Sequence, residues 1–360
     1  MIQSAYVHVP FCQTICSYCD FMRRMYDDTK ARQWLEQIVK EIDCKIKGPL
    51  KTLYVGGGTP NALSIDLFYK LFEILSQYVA PETEFSVEIN PELLSDEKID
   101  ILSRFKVNRI SMGVQSFSDD LLKMMNRHHN ESMVRDCIHR LYKAGIHDIS
   151  IDLMYGLPDQ SMESWHRDLQ KAVSLPIQHI SLYSLTIEEN SVFGKKGICK
   201  ADDDLEYEMY RWAIQFLQEQ GFWQYEIANF ARKGHESKHN QVYWHYEDFH
   251  GIGCGASGKE SWGRYDNTRS FEQYLKSGPT PEKTALSKEE QMFECVMLGL
   301  RLRRGIDLEA FHQKYHVLLQ KQFASALKKH LNKDLLIEDN HLKTTDEGKF
   351  VLHDILIDFL

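Results

Sequence analysis

The stretch CQTICSYCDF, residues 12–21, holds three cysteines at the spacing C-x3-C-x2-C. It follows SAYVHV, residues 4–9, whose alternating apolar residues are typical of a short strand. Cys12, Cys16 and Cys19 are therefore expected on one loop at the exit of a strand, where three thiolates can converge. Three thiolates are one short of a closed tetrahedral zinc site, and one short of the four that hold an electron-transfer 4Fe-4S cluster. We therefore expect a cluster in which one iron is left open to a small molecule.

A zinc-binding loop is the alternative interpretation of these cysteines. Zinc needs a fourth ligand, and His8 or Asp20 can supply it. A chance grouping of core cysteines is disfavoured, because three cysteines fall within eight positions.

The cysteine spacing, with the aromatic Tyr18 directly before the last cysteine, resembles the signature of the radical-SAM superfamily. This resemblance implies that S-adenosylmethionine binds the open iron through its amino and carboxylate groups. It also implies that one electron from the cluster splits a carbon–sulfur bond and yields a 5′-deoxyadenosyl radical, while the protein supplies grip and shielding.

Composition and charge describe a globular chain without a nucleic-acid-binding signature. Its 360 residues suffice for a large α/β domain and a smaller partner, and its net charge of −9 provides no basic stripe, so nucleic acid is not an expected partner. The eight cysteines show no disulfide framework, and a thiolate cluster fits a reducing cytosol. Without a signal peptide or a membrane-length apolar run, we expect a cytoplasmic protein, with peripheral contact at the inner face of the membrane left open.

Short apolar strands alternate with longer amphipathic helices from Ser4 to about Ser184. The predicted strands are Ala5–Val9, Thr52–Gly56, Glu84–Ile89, Arg109–Gly113, Asp148–Met154 and His179–Ser184. The predicted helices are Lys30–Lys45, Ile65–Tyr78, Asp96–Arg104, Ser132–Lys143 and Ser161–Ser174. This alternation predicts a parallel sheet, and six units are too few for the eightfold barrel. We therefore predict the α/β fold of a partial (βα)6 barrel, the fold that the radical-SAM resemblance also implies.

Residues able to bind ligands follow the ends of these strands, where parallel α/β folds bind ligands. The run Gly56-Gly57-Gly58-Thr59-Pro60 allows close approach of backbone to a ligand, although a plain tight turn is the alternative. Glu88, near the end of an apolar strand, suits ribose hydroxyls or an ammonium group, and a salt-bridged glutamate is equally compatible with the sequence.

Gln115, Arg127 and Asp152 extend this set of candidates. Gln115 offers both a donor and an acceptor, which suits adenosine, and Arg127 can donate a pair of hydrogen bonds to a carboxylate. Asp152 is costly within an apolar strand unless it is paired, so we expect it at the barrel mouth, with a buried Arg or Lys partner as the alternative. His128 and His129 are interpreted as a solvated helix boundary.

Several segments narrow the resemblance to the oxygen-independent coproporphyrinogen dehydrogenase family. They are Tyr6–Cys12, Gly56–Pro60, Glu88–Pro91, Gly113–Phe117 and Asp152–Pro158, and the resemblance extends over nearly the whole chain. By match to the family motifs, the resemblance implies contacts to S-adenosylmethionine from Tyr6, Tyr18, Gly57, Gly58, Thr59, Glu88, Gln115, Arg127 and Asp152.

This family has two branches, the true porphyrinogen enzyme and the HemW-type heme chaperone. The dehydrogenase branch carries a further cysteine two positions after the third cluster cysteine, where this chain has Phe21. That branch also carries a long N-terminal extension, whereas only eleven residues precede Cys12 here. Both departures favour the heme-chaperone branch.

The segment HNQVYW, residues 239–244, resembles the H-N-x-x-Y-W motif of the heme-chaperone branch. His239 can ligate heme iron, and Tyr243 and Trp244 offer flat faces to a porphyrin, with Asn240 beside them. Other histidines of the same stretch are alternative ligands, namely His235, His245 and His250. The alternative for the whole stretch is an aromatic loop that caps the barrel, and the glycine run 251–258 is either a cofactor-contacting or a flexible connection.

The expected domains are a barrel over residues 1–230, a His/aromatic loop region with a linker over 231–280, and an accessory domain over 281–360. The last part reads as helices with a small hairpin that turns at Asp339-Asn340, which predicts a winged-helix-like domain. The predicted helices there are Lys288–Leu302, Asp307–Tyr315, Leu318–Leu331 and Thr345–Leu360.

These patterns lead to three hypotheses of function. The first is a heme chaperone that binds heme, a 4Fe-4S cluster and S-adenosylmethionine, and delivers heme to an acceptor, expected to be a respiratory protein. The second is an oxygen-independent coproporphyrinogen III dehydrogenase, which decarboxylates propionates to vinyls. The third is a zinc-stabilised, non-catalytic binding module.

Overall fold

A computed structural model describes all 360 residues of the chain. Six parallel strands form the centre of its main sheet, at the positions that the sequence predicts. They are β1 (Ser4–Val9), β2 (Leu50–Gly57), β3 (Val79–Ile89), β4 (Arg109–Gln115), β5 (Asp148–Tyr155) and β6 (His179–Ser184). The predicted partial barrel is confirmed, and five of the six strands extend beyond the predicted limits, whereas β6 has the predicted ones.

Helices follow these strands and cover the outer face of the sheet. In this part of the chain they are α1 (Asp28–Lys45), α2 (Ile65–Leu75), α3 (Asp96–Arg104), α4 (Asp119–Met124), α5 (Glu131–Lys143), α6 (Met162–Val173), α7 (Val192–Lys195) and α8 (Asp203–Glu219). Side-chain caps fix several of their starts, for example Asp27 on α1 and Asn130 on α5.

The sheet is wider than the sequence predicts. Three short strands, β7 (Trp223–Gln224), β8 (Asn229–Ala231) and β9 (His250–Ile252), extend it to the order β9-β1-β2-β3-β4-β5-β6-β8-β7. Strand β9 pairs in parallel with β1, whereas β8 pairs antiparallel with β6. Strands of two or three residues carry too little alternation to be recognised from sequence, because their position is set by the edge that they pair with.

One face of the sheet is polar. Thr52 and Tyr54 alternate with buried apolar residues on β2, and Ser86 and Glu88 do so on β3. The register brings Tyr54 beside Tyr6 on one side and beside Ser86 on the other. Parallel strands that are buried on both faces are usually continuously apolar. This alternation therefore marks an interior built to hold a polar ligand.

The stretch 231–280, which the sequence describes as loop and linker, is largely ordered into secondary structure. It contains α9 (Lys238–Trp244), the strands β10 (Ser257–Glu260) and β11 (Gly263–Asp266), and α10 (Phe271–Ser277). Strand β11 pairs with β12 (Glu282–Ala285), across the segment expected to be a linker. Within the glycine run, a Cβ on Gly251 would lie 1.9 Å from the Ser257 carbonyl oxygen. Gly251 therefore permits close contact between two strands.

The C-terminal part has its own hydrophobic core, which runs from Met292 to Phe359. Its elements are α11 (Lys288–Gly299), β13 (Ile306–Asp307), α12 (Leu308–Tyr315), α13 (Leu319–Gln322), α14 (Ala324–His330), β14 (Leu335–Glu338), β15 (His341–Thr344) and α15 (Leu352–Ile357). The predicted hairpin is confirmed, and both turn residues, Asp339 and Asn340, have positive φ. The predicted helix 318–331 is interrupted at Phe323, and the predicted last helix forms only over α15, after a short 3₁₀ turn. The domain limits 1–230, 231–280 and 281–360 stay a prediction.

None of the helices combines the length and the apolar composition that crossing a membrane requires.

Candidate cofactor site

The cysteine loop lies at the end of β1. Phe11–Cys12 pairs in parallel with Arg24–Met25, which closes the loop around Cys16 and Cys19. Cys12 is 6 % exposed, and all three cysteines are free thiols. Two donors reach their sulfurs: the Thr59 hydroxyl lies 3.6 Å from Cys12 Sγ, and Arg127 Nη1 lies 3.7 Å from Cys16 Sγ.

The donor set fits an iron–sulfur cluster. Burial raises the pKa of Cys12 to about 11 and also raises that of Cys19, and the neighbouring cysteines contribute to both increases. Buried thiolates are stable when a metal centre balances their charge. No three His, Cys, Asp or Glu side chains converge as the ligands of a single metal ion do. A 4Fe-4S cluster places each thiolate on a different iron, so it does not require that convergence.

Each glycine of the triplet at the end of β2 packs against a different candidate residue. A Cβ on Gly56 would lie 2.7 Å from the Glu88 carboxyl group, and one on Gly57 would lie 2.6 Å from the His8 ring. A Cβ on Gly58 would lie 2.8 Å from the Phe11 carbonyl oxygen. The triplet therefore lets the backbone of β2 touch both the cysteine loop and β3, which goes beyond the role of a plain turn.

Glu88 is held inside the polar lumen by neutral donors. Its carboxylate accepts hydrogen bonds from Gly57 N at 3.0 Å and from the Tyr54 hydroxyl at 3.0 Å, and it forms no ion pair. Burial, with a smaller contribution from Asp152, raises the pKa of Glu88 to about 7. A carboxylate with this pKa gains most when a ligand brings a positive charge or hydroxyl donors to it.

Asp152 faces the same lumen, as expected, and has no Arg or Lys partner. Its carboxylate accepts from the Ser111 hydroxyl at 3.1 Å, and burial raises its pKa to about 6. Tyr183 lies on the neighbouring strand with 45 % of the residue exposed, and Glu88 and Asp152 are partly accessible. This face of the sheet is therefore open to solvent, and we call the space in front of it the chamber.

Gln115 and Arg127 lie at the same end of the barrel but differ in availability. Gln115 ends β4 with a positive φ of 67°, which turns the chain away from the sheet. Arg127 donates to Asn90 Oδ1 at 3.0 Å and to the Gly113 carbonyl oxygen, while its Nε has no partner. Arg127 therefore joins the ends of β3 and β4 to the cysteine loop.

Tyr6, Tyr18 and Thr59 complete the sequence-predicted set. The Tyr6 hydroxyl lies 3.0 Å from His8 Nδ1, and its ring stacks on Tyr54 at a centroid distance of 6.0 Å. Burial, followed by the charge of Cys16, raises the pKa of Tyr18. Tyr6 therefore lies on the polar face of the sheet, whereas Tyr18 lies beside the cysteine loop.

The prediction for the two neighbouring histidines is wrong for one of them. His129 is buried, and its Nε2 lies 2.9 Å from the Val114 carbonyl oxygen, whereas His128 is exposed. The difference arises because His129 packs inward between α4 and α5, which polarity alone does not indicate.

Helix α9, which carries the HNQVYW segment, closes one side of the barrel. His239 is 1 % exposed, with Nδ1 2.8 Å from the Thr52 hydroxyl and Nε2 2.8 Å from the Tyr243 hydroxyl. Its ring stacks on Tyr54 at 5.2 Å, and burial lowers its pKa to about 3. Both ring nitrogens of His239 are therefore engaged within the protein, which separates this residue from the role of a freely presented iron ligand.

The other side of α9 borders an open cavity of about 280 Å³. Trp244 and His245 line it from α9, and Cys295, Arg304 and Lys314 line it from the C-terminal part. Asn240 lies in the first turn of the helix, where its backbone N–H donates to the Ser237 side chain. His235 and His250 lie outside this cavity, with His235 Nδ1 3.5 Å from Asp148.

Sequence reasoning missed two residues that organise the site. Glu84 is buried on β3, and its carboxylate accepts from the backbone N–H groups of Lys238 and His239, each at 2.8 Å. Asn90 connects Arg127 with Thr59. The alternation of polar residues along β3, with Glu84, Ser86 and Glu88 two positions apart, is the signal that indicates an inward polar face.

Phe21 occupies the position where the dehydrogenase branch carries its further cysteine. Its side chain is largely in solvent, with 69 % of the residue exposed, at the edge of the cysteine loop. No sulfur donor therefore stands at this position.

Two regions of the chain match family models. Residues 6–172 match the model described as the radical SAM superfamily, and residues 286–351 match the model of the HemN C-terminal domain. The chain is 38 % identical to heme chaperone HemW of Lactococcus lactis, over 98 % of both proteins. It is 36 % identical to heme chaperone HemW of Bacillus subtilis, over 100 % of this chain and 99 % of that protein.

A heme chaperone HemW of Escherichia coli is 32 % identical over 99 % of this chain and 98 % of that protein. Among solved structures, the chain superposes on coproporphyrinogen III oxidase (HemN) from Escherichia coli with a TM-score of 0.86, over 99 % of this chain and 89 % of that one. The two sequences are 22 % identical, so this similarity establishes the shared fold.

Proposed function

Because the chain belongs to the family of heme chaperone HemW proteins, within the radical SAM superfamily, we propose that it binds heme and passes it to an acceptor protein. The full-length identity of 38 % to a protein of that name is the observation that carries this proposal. The predicted acceptor is a respiratory protein. We also propose a cytoplasmic location, with transient contact at the inner face of the membrane during transfer.

Cys12, Cys16 and Cys19 would hold a 4Fe-4S cluster, and its open iron would take S-adenosylmethionine. When bound, this pair supplies one-electron chemistry at a carbon–sulfur bond. Thr59 and Arg127 donate toward the sulfurs of Cys12 and Cys16. Such donors lower the cost of the negative charge on the thiolates.

The chamber residues would orient S-adenosylmethionine. Glu88 and Asp152 present carboxylates that only neutral donors hold, so both can accept from ligand hydroxyl or ammonium groups. Gly57, Gly58 and Gln115 bring backbone and amide groups to the same end of the barrel, and Tyr6 closes the chamber with its stacked ring. These side chains would bind the cofactor and shield it from solvent.

Heme would bind near α9. Trp244 supplies an aromatic face toward the outer cavity, Tyr243 packs against His239 on the barrel side, and α9 is anchored to the barrel through Glu84. Helix α9 lies next to the chamber, since His239 stacks on Tyr54 and Tyr54 stacks on Tyr6. The sites for S-adenosylmethionine and heme would therefore be neighbours.

The test uses anaerobically reconstituted protein with heme titrated in. We expect iron and sulfide in the purified protein, a saturable heme spectrum, and transfer of that heme to a respiratory apoprotein. Cys12→Ser, Cys16→Ser and Cys19→Ser should each remove most of the cluster absorbance, whereas Cys44→Ser, at an exposed cysteine on α1, should leave it unchanged. Full cluster content in the three variants would contradict the assignment of ligands.

The second candidate, coproporphyrinogen III decarboxylation, is disfavoured by Phe21. The same protein incubated anaerobically with coproporphyrinogen III, S-adenosylmethionine and a reductant should release no carbon dioxide. Stoichiometric decarboxylation would favour the dehydrogenase function instead. Zinc in place of iron and sulfide would favour the third candidate, a zinc-stabilised binding module.

A further inference from the structure

The open cavity beside α9 has the composition of a site for a flat, anionic ligand. Its volume of about 280 Å³ lies near the lower end of the range for ligand pockets. It is open to solvent, so a ligand of larger volume would be only partly enclosed. Six of its thirteen lining residues are hydrophobic, including Trp244, Leu302 and Phe311.

His245 is the side chain in this cavity best placed to bind a metal. It follows the last residue of α9 and caps the helix through its backbone N–H, which bonds to the Gln241 carbonyl oxygen at 2.8 Å. The backbone is thereby fixed, while the imidazole is exposed and has no hydrogen-bond or ion-pair partner. His239 differs on both counts, since it is buried and both of its ring nitrogens are bonded.

The charge of the cavity complements carboxylates, although the whole chain is acidic. Arg304 lines it with its Nε 3.1 Å from His341 Nε2, and Lys314 lines it with its Nζ 3.0 Å from the Tyr246 carbonyl oxygen. Asp307 is the one carboxylate among the lining residues, and the backbone N–H groups of Glu309 and Ala310 bind it as the cap of α12. Neither Arg304 nor Lys314 forms an ion pair, so both can contact the propionates of a porphyrin in this opening.

The flat wall of the cavity comes from Trp244. Its indole packs under the Arg301 guanidinium at 4.8 Å, and its Nε1 is buried without a partner. Cys295, a free and partly buried thiol, is a further side chain of the cavity with a chemistry able to bind iron.

We propose that this cavity between α9 and the C-terminal domain seats heme, with His245 as the iron ligand and Arg304 and Lys314 as the propionate contacts. The inference rests on the proposed heme-chaperone function. His239 is then a positioning residue, which fixes α9 against β2 through Thr52 and Tyr243. In an open cavity that contacts one edge of the porphyrin, the other edge stays accessible. An acceptor protein needs such access to take over the heme.

The first experiment compares His245→Ala with His239→Ala in the full-length, cluster-loaded protein. Heme titration followed by absorption and electron paramagnetic resonance should show at least tenfold weaker binding for His245→Ala and loss of the histidine-ligand signature. Added imidazole should restore that signature. His239→Ala should bind heme more weakly, should keep the wild-type signature in the bound fraction, and should gain nothing from imidazole. His316→Ala, at an exposed histidine beyond the cavity, is the matched control.

The opposite result would overturn the assignment. Unchanged binding and spectrum for His245→Ala, with imidazole rescue of His239→Ala, would identify His239 as the ligand. A thiolate-type spectrum that Cys295→Ser removes would likewise overturn it. Circular dichroism and iron content, measured for every variant, separate ligand loss from unfolding. Absence of heme binding by the wild-type protein would instead refute the proposed function itself.

The second experiment tests the propionate contacts. Arg304→Ala combined with Lys314→Ala should weaken heme binding by about tenfold or more, and should leave the affinity for iron mesoporphyrin dimethyl ester within about twofold of wild type. Equal losses for both porphyrins, or no loss for heme, would contradict the proposed orientation. The control combines Arg303→Ala with Lys321→Ala. It removes the same number of positive charges, at residues that do not line the cavity.

Discussion

At the scale of single residues, the ionisation of Glu88 in the barrel chamber lowers the stability of the folded protein. This partly buried carboxylate is held by neutral donors only, and its pKa of about 7 lies well above the ordinary glutamate value of 4.5. Between those two pH values the folded protein keeps a proton that the unfolded chain releases, so the free energy of unfolding falls as the pH rises through this window. The cost at full ionisation is at most about 3 kcal/mol.

Glu88→Gln should remove this pH dependence. We expect the variant to unfold with a free energy about 1–3 kcal/mol above wild type at pH 8, and close to wild type at pH 5. Urea titrations at several pH values measure the difference. Glu82→Gln, at an exposed position of the same strand, should show no such trend. A constant offset between Glu88→Gln and wild type at all pH values would contradict the explanation.

The residues that could be predicted from the sequence are those whose chemistry is unusual for their place. Three cysteines in one loop, and carboxylates in apolar strands, stand out without any structure, and the roles of Cys12, Glu88 and Asp152 stay predictions. Glu84 and Asn90 were missed because their partners are backbone groups and side chains far along the chain. His239 could be recognised as important, but its engagement by Thr52 depends on a contact 187 positions away in sequence.

At the scale of secondary structure elements, the short strand β9 depends on glycine. Gly251 places its backbone against Ser257, where a Cβ would lie 1.9 Å from the carbonyl oxygen. The strand pairs with β1 and thereby connects the barrel to the small sheet of β10, β11 and β12. Elements of this length are set by tertiary contacts, which explains why the sequence described them as loop.

Gly251→Ala should therefore destabilise the protein by about 3 kcal/mol, because neither strand can move away without breaking its own pairing. Gly48→Ala is the matched control, since its Cβ would meet only Met1 Sδ at 3.8 Å. We expect the control to lie within about 0.5 kcal/mol of wild type in a chemical denaturation. Similar stability of the two variants would show that the seam between β9 and β10 can relax.

At the scale of the whole molecule, Tyr246 joins the barrel, the small sheet and the C-terminal domain. It is 1 % exposed, its hydroxyl donates to Glu294 at 2.8 Å, and Lys259 lies 4.2 Å from its ring centroid. Glu294 also forms an ion pair with Arg264 at 2.8 Å. These contacts connect α11 to both neighbouring units through one side chain.

Replacement of Tyr246 should loosen the two cores from each other. Tyr246→Phe should cost about 1 kcal/mol, because it removes only the hydrogen bond to Glu294, whereas Tyr246→Leu should cost about 3 kcal/mol, because the ring and its cation contacts are also lost. Calorimetry should show a broadened or divided unfolding transition for Tyr246→Leu. A single sharp transition at the wild-type temperature would contradict this role.

Helix α9 is only seven residues long, and its two sides face different parts of the molecule. One side carries His239 and Tyr243 toward the barrel chamber, and the other presents Trp244 and His245 to the outer cavity. A rigid body of two turns cannot be displaced at one surface and stay still at the other. If either ligand shifts the helix, linkage requires that each ligand change the affinity of the other by the same factor. Binding of heme would then change the affinity for S-adenosylmethionine, and the reverse, through two turns of backbone and without any domain movement.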